Sequence, residues 1–164
     1  MDLEIKLTGA NVNNASINKS LGGCISTFPF KNGELFSTIS KYDLQQGKTE
    51  YRVLAVTNVS GADITDLRLY TETVTPEPSI KAEVGAMYFN ANEKVELLSN
   101  DTQTPFYIDF LDAEGVANEV VVGDLLDGES ISLWFKRVCP KIASADCEIE
   151  PIEGDGQVKI FINY

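Results

Sequence analysis

Two runs of carboxylates are the first places where this sequence could do chemistry. Asp109, Asp112 and Glu114 precede a glycine, and Asp146, Glu148, Glu150, Glu153 and Asp155 crowd the stretch before the last apolar segment. Oxygen-rich loops suit hard cations such as calcium. Neither run has the spacing of a twelve-residue EF-hand loop, and clustered loop carboxylates are usually solvated or face a basic partner. Two carboxylates can also hydrolyse a glycosidic bond, but no local pattern here sets such a pair beside a sugar-binding aromatic. Cys139 and Cys147 bracket CPKIASADC, which a disulfide could close, while Cys24 stands apart; C-x7-C is not a metal-knuckle spacing. Trp134, the single tryptophan, lies in ISLWFKRV beside Lys136 and Arg137. It reads as a core or groove-filling aromatic, with a ligand-stacking platform as the alternative.

What is missing narrows the field further. The 164 residues contain no histidine, which removes Ser-His-Asp and Cys-His catalysis, a His general base and any His-containing metal site. No Gly-rich phosphate cradle or nucleophile elbow occurs. The net charge of −12 disfavours electrostatic binding to nucleic acid or anionic membranes, since both require a positive footprint, and predicts neutral or basic partners. Most of that charge lies in one half: residues 1–90 carry 8 basic and 10 acidic side chains, and residues 91–164 carry 5 and 15. The first residues lack the basic start and apolar run of a signal peptide, and no segment has the apolar length to span a bilayer. The expectation is a soluble, unexported chain forming one domain of ordinary size.

The elements that must position these residues are short, rich in β-branched and aromatic side chains, and punctuated by Gly, Asn, Asp and Pro. Strands are predicted at Leu3–Leu7, Cys24–Phe28, Leu35–Ile39, Tyr51–Asn58, Ile64–Thr73, Ser79–Val84, Lys94–Leu98, Phe106–Phe110, Glu119–Val122, Ile131–Val138 and Gln157–Tyr164. Tyr51–Asn58 is apolar on both faces and reads as a central strand. Pro76-Glu77-Pro78 interrupts ladder donors and predicts a sheet-to-sheet crossover or an edge. The pattern predicts an all-β, antiparallel two-sheet β-sandwich, immunoglobulin-like or jelly-roll-like, of roughly ten short strands. Residues 1–20, polar and Asn-rich, read as either an N-terminal arm or a first strand, ahead of a sandwich domain over residues 21–164.

LGGCIS at Leu21–Ser26, LFSTIS at Leu35–Ser40, GKTEYRVLAVTN at Gly47–Asn58 and ITDLRLY at Ile64–Tyr70 follow in order, and Gly128, Trp134 and Arg137 come later. In this ordered combination the chain resembles small immunoglobulin-like β-sandwich virion structural proteins of tailed bacteriophages. The resemblance covers residues 21 to about 140; the tail from Cys139 onward, with Cys147 and the acidic loop, extends beyond it.

The resemblance implies a virion structural protein with no catalytic residue and no cofactor, made and assembled in the host cytoplasm. A capsid decoration or stabilising role comes first, and a head-to-tail, collar or tail component is the close alternative. Its partners would be the major capsid protein or other virion proteins, and it would sit in many copies on the particle, in line with the use of repeated contacts in such lattices. Trp134, Lys136, Arg137, Phe161 and Tyr164 are the candidate partner-interface residues, and KIFINY is a natural place for pairing between subunits if it lies at a sheet edge. A carbohydrate-binding or adhesin-like module, with Trp134 and tyrosines as sugar platforms and calcium in an acidic loop, is the alternative of another class. A two-carboxylate glycosidase ranks last.

Overall fold

The structure, a computed structural model, describes residues 2–74, 81–89, 95–106, 108–142 and 150–164, with the backbone alone at 81 and 86–89. Its strands are β1 (Leu3–Gly9), β2 (Gly22–Pro29), β3 (Lys48–Asn58), β4 (Ile64–Thr73), β5 (Lys81–Phe89), β6 (Val95–Leu97), β7 (Leu111–Asp112), β8 (Val120–Leu125), β9 (Ser130–Cys139) and β10 (Val158–Asn163). They form a seven-stranded sheet, ordered β6-β2-β1-β3-β9-β5-β7, and a three-stranded sheet, ordered β10-β4-β8. All strand pairs are antiparallel. The chain is an all-β two-sheet sandwich, as the strand pattern predicts.

β3 is central, flanked by β1 and β9. Its register with β9 runs from Lys48 opposite Cys139 to Thr57 opposite Ser130. Because side chains alternate across a strand, Leu54, Val56, Ile131, Leu133 and Phe135 face one way. They pack there with Leu67 and Leu69 of β4, Leu125 of β8 and Val158 and Ile160 of β10, forming the core between the sheets. Tyr51, Val53, Ala55 and Trp134 face the other way and are covered by Leu21, Val95 and Leu98, with Ile25, Ile108 and Phe110 packed alongside. Val95 belongs to one edge strand and Phe110 directly precedes the other, so the large sheet curls until its two edges share a second apolar cluster.

The Leu-Gly-Gly start has a steric cause. Gly22 and Gly23 have φ of +100° and +85°, and a Cβ on them would lie 1.8 Å from the Glu96 carbonyl oxygen and 2.3 Å from that of Gly9. Bare backbone is required for β2 to approach β6 and β1 this closely. Residues 3–9 are a full member of the large sheet. The Asn-rich stretch behind them is tied back by Asn14, whose Nδ2 donates to the carbonyls of Thr8 (2.7 Å) and Ser16 (3.0 Å).

Two predicted strands are not strands. Over Leu35–Ile39 the chain is irregular, yet Leu35, Phe36 and Ile39 are almost wholly buried. Leu35 and Phe36 are consecutive and both enter the inter-sheet core, which an extended strand, sending neighbours to opposite faces, cannot arrange. Around Phe106–Phe110 the described residues are also irregular, and strand geometry begins only at Leu111. Ile108 and Asp109 cross directly over Gly85, where a Cβ would lie 2.4 Å from Ile108 Cγ2. A short α-helix, α1 (Lys41–Gln46), opens with a capping box: Ser40 Oγ accepts from the Asp43 amide and Asp43 Oδ2 from the Ser40 amide. It seats Leu44 beside Ile39 and Cys139. β4 and β5 lie in different sheets; the Pro76-Glu77-Pro78 tract between them, Lys94 and Cys147 lie outside the described residues, so the Cys139–Cys147 bridge does too.

Candidate functional site

The residues that carry the ordered motifs converge. Cross-strand register sets Glu50 of β3 opposite Arg137 of β9 and Arg52 opposite Phe135, with all three charged side chains on the inner face. Arg137 Nε donates to Glu50 Oε2 at 3.1 Å, and its Nη2 pairs with the same oxygen. Arg137 Nη1 donates to the carbonyls of Ser37 (2.6 Å) and Gly156 (2.8 Å). Lys48 Nζ lies 3.0 Å from Glu50 Oε1. Both guanidinium groups sit over the buried Phe36 ring, Arg137 at 4.8 Å and Arg52 at 5.2 Å from its centroid, a cation–π arrangement that is strongest where water is excluded. Arg52 also donates to the Tyr51 carbonyl and to Asn18 Oδ1.

This cluster is a buried framework. Glu50, Arg52 and Arg137 are each about 1% exposed. Burial pushes the Glu50 carboxyl up, but the charge and hydrogen bonds of Arg137, with Lys48, outweigh it and hold the group below the usual carboxylate range. Arg52 is shifted down, chiefly by burial, and Arg137 adds to that. A carboxylate locked in its ionised form by two cations is poorly suited to donate a proton.

The candidate interface residues fall into two groups. Trp134 is 1% exposed, its Nε1 donating to Ser132 Oγ at 3.0 Å, and Arg137 belongs to the buried cluster. Lys136 is partly exposed on the other face, 2.9 Å from Glu83 and 5.7 Å from the Phe110 ring centroid. Phe161 and Tyr164 lie at the surface. Phe161 is opposite Tyr70 on the outward face of the small sheet, and their rings stack at 4.8 Å and 9°. Val121 and Val116 are exposed, and Val121, opposite Arg68 on β4, adjoins this face. Tyr164 OH donates to Asp2 Oδ2 at 3.1 Å, which raises its pKa.

Tyr164 also lines a groove of about 600 Å³ between β10 and the start of β1, whose walls include Leu3, Ile5, Phe30, Val59 and Ile162. β10 is an edge strand, as KIFINY pairing requires. Tyr70 and Asn32, which shape this surface, escaped sequence reasoning. The alternation in Ile64–Thr73 marks Tyr70 as outward, but nothing local pairs it with Phe161, and Asn32 carries no signal at all.

Several members of the acidic runs are spent on contacts within the fold. The Glu114 carboxylate accepts from the Thr73 amide (2.6 Å) and hydroxyl (2.7 Å). Asp155 accepts from the Ile152 amide and Glu150 pairs with Lys41. Asp146 and Glu148 lie outside the described residues. Among the described residues no group of three or more carboxylates or cysteines is placed to hold a metal ion, and no helix is long and apolar enough to cross a membrane.

Fold and surface together define an antiparallel β-sandwich with a buried Arg–Phe–Glu framework, an outward aromatic pair and an open edge strand. No family model, curated protein or solved structure matches the chain.

Proposed function

We propose that this chain is a virion structural protein of a tailed bacteriophage, a capsid decoration or stabilising protein that docks on the assembled head through the outward face of the small sheet and the β10 edge. One observation carries the reading. The motif residues Phe36, Glu50, Arg52 and Arg137, scattered through the resembling segments, are spent on one buried framework, while the outward face of the small sheet presents the Phe161–Tyr70 stack. A motif used for rigidity rather than turnover fits a protein whose work is assembly. The acidic surface favours a basic docking site, and repeated copies on a lattice turn weak contacts into firm attachment.

A head-to-tail, collar or tail station is the alternative within this class. A glycan-binding module is the second reading, favoured by the same aromatic stack, since sugar rings pack on aromatic faces; Trp134 is too buried to take part. Copy number and location in intact particles, by electron cryo-microscopy with quantitative mass spectrometry, test the proposal. Hundreds of copies over the shell are expected. Six or twelve at one vertex would move the protein to the neck, and none would overturn the virion reading.

A further inference from the structure

The free edge of β10 is half occupied by a single side chain. Asn32 Oδ1 accepts from the Ile160 amide at 2.8 Å and Asn32 Nδ2 donates to the Ile160 carbonyl at 2.9 Å. These are the two bonds a neighbouring strand would make. They show that Ile160 turns its polar backbone groups away from β4, and the alternation of an antiparallel ladder gives Ile162 the same orientation. No described residue pairs with the Ile162 N–H or C=O beyond that edge. Both open beside the groove walled by Leu3, Ile5, Phe30, Val59 and Tyr164.

We propose that this groove takes an extended segment of a partner protein, which adds a strand to β10 at Ile162, places alternate apolar side chains against the groove wall, and carries basic residues at its ends. The occupant follows from charge. Glu4 lines the groove, about half exposed and paired with Lys6, and the exposed Asp2 carboxylate accepts from Tyr164 at its rim, on a chain of net charge −12. A second copy would bring the same carboxylates and the same net charge to the contact, whereas a basic segment is attracted to them. Strand addition to a sheet edge is a recurrent mode of peptide recognition: main-chain bonds supply affinity, and pockets for alternate side chains supply specificity. The inference deepens the assembly reading and rests on it for the class of partner alone.

The test uses the whole chain and two synthetic peptides, Lys-Val-Thr-Val-Thr-Val-Lys and its Glu-flanked counterpart, followed by amide NMR and hydrogen exchange. The Lys peptide is expected to slow exchange of the Ile162 amide by about 10-fold or more and to bind at least about 5-fold tighter than the Glu peptide, the difference shrinking in 1 M salt. Ile162→Pro removes the outward donor at a position where proline is tolerated and should abolish binding. Val59→Ser, at an exposed wall position, removes apolar wall without adding charge and should weaken it with β10 intact. Asn32→Ala frees the Ile160 groups and should tighten it. Equal affinity for the two peptides, an Ile162 amide that does not respond, or concentration-dependent dimers protecting that amide would overturn the proposal. Peptide binding by a protein that is absent from particles would leave the groove standing and the virion reading fallen; a decoration protein that ignores both peptides would do the reverse.

Discussion

Arg137 holds its guanidinium carbon 4.8 Å from the centre of the Phe36 ring while its Nε donates to Glu50. One side chain thus joins an irregular segment to the central strand pair. Phe36→Ala should cost about 3–5 kcal/mol, the range for truncating a buried aromatic. Phe36→Leu, which keeps most of the volume but no π face, should cost about 1–2 kcal/mol through the lost cation–π contacts. Urea midpoints at constant m-value measure both, and a Leu variant as stable as the parent would deny the rings any part.

Glu50→Gln leaves Arg137 buried without its anion and should cost about 3–5 kcal/mol at pH 7. Since the folded carboxyl titrates below its ordinary range, its stabilisation is full above that range and is lost as pH falls through the folded value. The stability gap between parent and variant should therefore narrow on acidification below the usual carboxylate range. Urea titrations at a series of pH values test this; a gap that widens there counts against the ion pair.

Trp134 is the only tryptophan, so fluorescence reads its surroundings directly. Blue-shifted emission resistant to iodide in the folded state, shifting red on unfolding, is expected from its burial. Trp134→Ala should lose about 3–5 kcal/mol.

Gly22→Ala and Gly33→Ala separate two effects. Both positions have positive φ, but the Gly22 Cβ meets the Glu96 carbonyl while the Gly33 Cβ meets nothing within 4 Å. Gly33→Ala should cost about 1–2 kcal/mol of backbone strain, and Gly22→Ala should add about 1–3 kcal/mol from overpacking. Equal losses in thermal melts would mean that β6 moves aside freely.

Phe161→Ala should cost less than about 1.5 kcal/mol, the scale of a surface aromatic pair, and yet weaken attachment to particles in a sedimentation assay. Unchanged attachment would remove the aromatic face from the interface.

Strand positions and the sandwich were legible in the sequence because period-two alternation survives wherever one face is buried, as in Leu67 and Leu69 of β4. Both-sided burial of Tyr51–Asn58 likewise marked its central place. The buried charges were not legible: Glu50, Arg52 and Arg137 alternate with apolar neighbours just as solvent-facing residues do, and only the β3–β9 register brings them together. Leu35–Ile39 misled because a short apolar run looks the same whether it forms a ladder or plugs a core. The Phe161–Tyr70 stack needed the pairing of β10 with β4, which no local pattern encodes.

The middle of the large sheet sets an order of events during synthesis. β3 is made early, but one of its two flanks is β9, more than seventy residues further along the chain. A nascent chain that ends before Ser130 has half its central ladder unmade and Glu50 still in water, and closing so long a loop is slow. The central ladder is therefore completed late, when the strand bearing Trp134 and Arg137 arrives, and the core and the Arg137 contacts only later still, with Gly156, Val158 and Ile160.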